Sequence, residues 1–188
     1  MPVGQEDNSN MNQTTTTSVV SLALLALLTP VLRADFFGDL QPKLIESKNG
    51  KPVPYEAGEA KPEFTAIYYS AHWCPPCRAL TPKLVTWYKN TKARFKNFEL
   101  VFASSDKDEA AMMDYMKEDK MPWPAIRFDE KKGSGVGKYA AGGIPYLVLL
   151  DKDGKDLTGK PNNDWQHPSE VMPEIEKILL EARKKKAE

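Results

Sequence analysis

The spacing of apolar positions changes several times along the chain, and each change marks an element. Residues 1–17 are polar, without periodicity, and end in the low-complexity run 14–17. Apolar residues then run almost unbroken over 19–28, with Ser21 the only polar interruption. Residues 43–55 read as a loose hairpin, because Asn49-Gly50 is a strong two-residue turn signal flanked by Leu44-Ile45 and Val53. Pro52 and Pro54 lack amide hydrogens and limit the second arm to a sheet edge. The continuous β-branched and aromatic run FTAIYYS (64–70) predicts a central strand buried on both faces. The period then becomes helical: Leu80, Leu84, Trp87 and Tyr88 form one stripe, which Pro82 should kink but not end.

FELVFAS (98–104) predicts a second strand, and 110–116 a helix with cap candidates in 106–108. Pro122-Trp123-Pro124 must be loop, since each proline restricts its predecessor. The Gly- and Lys-rich stretch 131–137 predicts a turn before a short helix near Tyr139. YLVLL (146–150) is a third clear strand, and the turn 151–154 leads into a weaker fourth. From Ser169 onward, Val171, Ile175, Ile178 and Leu179 keep helical spacing. The order hairpin, β, α, β, α, β, β, α implies an α/β domain: one mixed sheet flanked by helices on both faces, with an N-terminal β-hairpin.

At 188 residues the chain holds about one domain, assigned to 35–188, behind a separate segment 1–34. The apolar run 19–28 is shorter than the roughly 20 residues a membrane span needs, so no stable span is expected. It has the length of a signal-peptide core, and Pro30 and Leu32-Arg33-Ala34 follow it. Cleavage after Ala34 would leave Asp35 as the mature N-terminus, with export to a periplasm or beyond. Against this, no basic residue precedes the run while Glu6 and Asp7 do, which keeps a cytoplasmic location as the alternative.

Charge removes one class of function. Lysine plus arginine number 26 and aspartate plus glutamate 26, so the basic footprint of a nucleic-acid binder is missing. The basic cluster 183–186 reads as a solvated helix end, where lysines suit the helix dipole. Cysteine usage is more informative. Two cysteines, Cys74 and Cys77, are no disulfide framework, and His72 and His167 do not complete a four-ligand zinc site at this spacing. No metal, flavin or nucleotide is therefore expected, since nothing resembles a phosphate-cradling loop. A zinc half-site or two inert buried thiols are the bland readings of a lone CxxC.

The context favours redox chemistry. The nucleophile in disulfide exchange is a thiolate, so a thiol pKa normally near 8.5 must be lowered. Cys74 stands between a strand and a helix, where unpaired amides and about half a positive charge stabilise an anion. Cys77 lies about one helical turn further, close enough for its sulfur to reach back. Pro76 is tolerated because first-turn amides have no partner to lose, and with Pro75 it stiffens the loop. Arg78 adds a positive charge beside the pair.

The segment Tyr69-Ser70-Ala71-His72-Trp73-Cys74-Pro75-Pro76-Cys77-Arg78 resembles the active site of the thioredoxin superfamily, in its tryparedoxin and nucleoredoxin branch. Thr81-Pro82, the strand FELVFASSD, Met121-Pro122-Trp123 and Gly143-Ile144-Pro145 before YLVLLD agree in order, so the likeness covers roughly 40–182. The resemblance implies a thioredoxin fold and a thiol–disulfide oxidoreductase, with Cys74 as nucleophile and Cys77 as resolving thiol. It implies a cis Ile144–Pro145 bond opposite Cys74 that receives substrate backbone, and Trp73 covering the site. It places Trp123 nearby as a substrate contact, although a Pro-flanked tryptophan can equally pin a loop. Expected partners are protein thiols and disulfides and an electron donor, the chain itself being a monomer. A reductase is the leading reading. A disulfide-forming oxidant of the cell envelope and a non-catalytic redox-gated binding module are the alternatives. One departure stands out: many thioredoxins carry a buried aspartate six positions before the first cysteine, and this chain has Tyr68.

Overall fold

The computed structural model describes residues 35–58, 61–159 and 164–188. The apolar run 19–28 and the proposed cleavage boundary at Ala34 lie outside the described residues. Asp35 accepts the Gly38 amide at 2.7 Å and so caps a short helix, α1 (Phe36–Leu40), too brief to show a period in the sequence. β1 (Leu44–Lys48) and β2 (Lys51–Pro54) form the expected hairpin. Asn49 and Gly50 both take left-handed φ values, 56° and 79°, as a two-residue turn with matched strand twist requires.

β3 (Phe64–Ser70) leads through the cysteine motif into α2 (Pro75–Arg94), which runs unbroken through Pro82. β4 (Phe98–Ser104), α3 (Glu109–Glu118), β5 (Ala125–Ile126), β6 (Tyr146–Asp151) and α4 (Pro168–Ala187) follow. Asp108 caps α3 through its side chain, and the short helix near Tyr139 is a 3-10 turn, Val136–Tyr139. The strands form one mixed sheet in the order β2-β1-β5-β4-β3-β6. β3 is parallel to β4 and antiparallel to β6, while β5 joins β4 in parallel and β1 in antiparallel fashion.

Alternation along β3 and β4 splits the core in two. Ala66, Tyr68, Leu100 and Phe102 face α2, α3 and α4 through Leu84, Tyr115 and Ile175. Ile67, Tyr69, Val101 and Ala103 face α1 and the 3-10 turn through Phe37, Leu40 and Tyr139. Helices thus cover both faces, the three long ones sharing one of them.

Two expectations need correction. β5 is a strand that the sequence pattern did not show, because two residues after Pro124 are too few to carry a period. The fourth strand after the 151–154 turn reduces to a single bridge between Leu150 and Asp156. There the Leu149 amide donates to the Thr158 hydroxyl at 2.8 Å, so a side chain takes the place of a strand backbone. Among the described residues no helix is long and apolar enough to cross a membrane.

Candidate active site

The site is built where β3 ends and α2 begins, with the turn before β6 facing it. Cys74 is the N-cap of α2 in extended conformation, and Pro75 and Pro76 fill the first turn, where no intrahelical amide bond is lost. Cys74 and Cys77 are joined by a disulfide, with their Cα atoms 5.2 Å apart. The Cys77 amide donates to Cys74 Sγ at 3.3 Å. An amide hydrogen and a helix N-terminus directed at a sulfur are features that favour a thiolate over a thiol.

The two sulfurs differ in access. Cys77 is 0% exposed, packed with Ala71 and Cys74, and Ile144 lies against the cluster. Cys74 is 3% exposed but forms part of the wall of a groove of about 550 Å³. Trp73, Pro75 and Pro76 flank it, and Ser105 and residues 141–144 complete the lining. An incoming sulfur therefore meets Cys74 first. The Ile144–Pro145 bond is cis, and the Ile144 carbonyl lies 3.9 Å from Cys74 Sγ. Trp73 stands 65% exposed, anchored by its indole N–H to the Ser105 carbonyl at 3.0 Å.

Beside the groove, the His72 amide donates to Asp106 at 2.8 Å and the His72 ring contacts the Glu118 carboxylate at 2.9 Å. That ring stacks on Tyr115, with centroids 5.4 Å apart. Asp119 shares this corner, and its Oδ2 is buried without a hydrogen-bond partner. Burial pushes its carboxyl above the usual range, while the charge of the exposed Arg78 opposes that shift. Beneath the motif, Thr81 donates to the Cys77 carbonyl at 2.9 Å and meets Tyr68 and Tyr115. Burial raises the pKa of both phenols, so they stay protonated. Tyr68, at the position of the usual aspartate, offers a neutral hydroxyl and no base.

The structure thus brings Trp73, Cys74, Pro75, Pro76, Cys77, Arg78, Ile144 and Pro145 to one end of the sheet. Trp123 is a correction. It is 1% exposed, its ring edge-on to Tyr68 and Tyr88 at 6.3 and 5.4 Å. The Phe102 amide donates to the Pro124 carbonyl at 2.9 Å as β5 enters the sheet, which draws the indole into the core. A ring sealed there cannot touch a docked polypeptide, so Trp123 pins its loop. Sequence reasoning also passed over Ala141 and Gly142 of the groove and Trp165, whose indole donates to the Pro145 carbonyl, and it quoted Ser105 and Gly143 only within longer motifs. Loop residues of this kind carry no periodic signal.

The thioredoxin-like family profile matches residues 62–155, half of the chain. Human nucleoredoxin is 40% identical over 112 residues, covering 58% of this chain and 25% of that protein. The matched stretch thus spans about a quarter of that relative's length. Among solved structures, tryparedoxin I from Leishmania major is 34% identical with a TM-score of 0.50, covering 63% of this chain and 80% of that one. Thioredoxin from Wuchereria bancrofti is 30% identical with a TM-score of 0.55, covering 72% of this chain and 94% of that one.

Proposed function

The chain belongs to the thioredoxin-like family, and from that premise we propose that it is a thiol–disulfide oxidoreductase reducing disulfides in polypeptides. The observation that carries this reading is the asymmetric Cys74–Cys77 pair at the mouth of α2, one sulfur facing a groove and the other sealed.

In the dithiol state, the Cys74 thiolate attacks one sulfur of a client disulfide. A Cys74–client bond forms, the client S–S bond breaks, and the released client thiolate takes a proton from solvent. Cys77 then loses its proton to solvent and attacks Cys74 Sγ; the internal disulfide re-forms, the Cys74–client bond breaks, and the second client sulfur leaves as a thiolate that takes up a proton. Two electrons pass from the pair to the client. Arg78 favours the thiolate, Trp73 walls the groove, and backbone at Ile144 and Pro145 receives the client chain. The electrons travel on the cysteines themselves, so no bound cofactor is required, and an external thiol donor restores the dithiol.

Reduction of insulin disulfides by dithiothreitol, catalysed by the full chain, tests the reading. The Cys74→Ser variant should lose catalysis, and a wild type that is inert would favour a redox-gated binding module. The potential of the pair gives the direction: a value near thioredoxin's, about −270 mV, supports reduction, and one near about −120 mV reverses it to oxidation. The support for export is residues 19–34 of the sequence alone, and N-terminal sequencing that reads Asp35 in the purified protein would establish it.

A further inference from the structure

Among the described residues two large apolar side chains stand open to solvent, Trp73 and Trp165. Trp73 is a wall of the groove. Trp165, 49% exposed, lies in the segment that leads into α4, far along the chain from the cysteines. Single exposed aromatics are ordinary, so exposure carries nothing by itself. Its contacts do. The Trp165 indole N–H donates to the Pro145 carbonyl at 2.9 Å. Its ring lies over Gly143, where a Cβ would meet it in van der Waals contact, 3.5 Å from Cδ1 and 3.7 Å from Nε1. The His167 ring meets it edge-on at 5.9 Å and holds its orientation.

Pro145 and Gly143 belong to the turn that forms the groove wall opposite Cys74. Among the described residues β6 is the last strand of the sheet, and the segment that bonds to its outer side, 155–158, meets Leu149 to Asp151 at the end far from that turn. The indole steadies the turn itself, with one hydrogen bond and one ring contact. We propose that Trp165 is a positioning residue for disulfide exchange with polypeptides, holding the 143–145 wall at the separation from Cys74 that an extended client segment requires. This rests on the oxidoreductase reading above. A polypeptide must lie along the wall to present its disulfide, whereas a small disulfide needs only Cys74 Sγ. Loosening the wall should therefore weaken polypeptide capture and leave the sulfur chemistry intact.

The test compares steady-state reduction of insulin with reduction of 5,5′-dithiobis(2-nitrobenzoate) by the full chain. Trp165→Phe keeps the ring and removes the donor. It should raise KM for insulin by about two- to tenfold, the scale of one lost neutral hydrogen bond, with kcat and the small-disulfide rate near wild type. Trp165→Ala should extend the effect in the same direction. A Phe variant with wild-type KM for insulin overturns the proposal. So does an equal loss on both substrates together with a lowered melting temperature, which would make Trp165 a structural prop. A wild type inert toward both substrates fails differently, since it removes the oxidoreductase reading itself.

Discussion

Thr81 has one hydroxyl hydrogen and two lone pairs, and all three are committed. Its hydrogen goes to the Cys77 carbonyl, which can only accept. Tyr68 at 3.0 Å and Tyr115 at 2.5 Å must therefore both donate to Thr81, and Ser70 in turn donates to Tyr115 at 3.0 Å. The order of protons under the cysteines is fixed by counting. Thr81→Val keeps the shape but orphans two buried phenol hydrogens, so urea unfolding should show a loss on the order of 2–4 kcal/mol. Thr81→Ser should recover most of it, and a Val variant within about 0.5 kcal/mol of wild type would refute this assignment of donors. At this scale the reactive pair was legible, because CxxC between a strand and a helix has few other uses. The direction of Trp123 and the reach of Trp165 were not, since a lone aromatic in a loop carries no periodic signal that says which way it points.

Glu99 shows how elements are tied together. It lies in the middle of the sheet on β4, 3% exposed, and accepts from Tyr55 at 3.1 Å, Tyr88 at 2.6 Å, Lys92 at 3.0 Å and the Leu100 amide at 3.0 Å. One carboxylate thus joins β4, α2 and the segment after the hairpin. Removing its charge leaves the half-buried Lys92 with the Phe98 carbonyl at 2.6 Å but no counter-charge, and weakens the hydrogen bonds that Tyr55 and Tyr88 donate to a carboxylate. Glu99→Gln should cost about 2–3 kcal/mol, which lowers the melting temperature by about 5–10 °C in a domain of this size, as calorimetry would show. An unchanged melting temperature would mean the pair contributes nothing net. The strand containing Glu99 was predictable from its apolar neighbours, as were β3, β6, α2 and α4. β5 and α1 were not, because elements of two and five residues are set by what they pack against.

Across the whole domain, buried phenols line both faces of the sheet. Burial raises the pKa of Tyr68, Tyr88 and Tyr115 on one side and of Tyr69 on the other. A group whose folded pKa lies above its unfolded value of about 10 stabilises fully below that value, and the stability is lost as pH rises beyond it. Absorbance at 295 nm and circular dichroism should therefore change together above about pH 10, with ionisation and unfolding as one cooperative event. Phenols that titrate near pH 10 in a still-folded chain would contradict their burial. The mixed sheet and its layers were readable at this scale from the order of elements, while the unequal sharing of the faces depends on contacts that no spacing encodes.

The rim of that sheet has one more consequence. The Tyr55 amide bonds inward to the Leu44 carbonyl, so along β2 the odd-numbered residues turn their amides toward β1 and the even-numbered ones turn away. The outward positions are Pro52 and Pro54. A neighbouring molecule that approached this margin would find no amide hydrogen there with which to begin a ladder, so crowding cannot zip copies of the chain together along it.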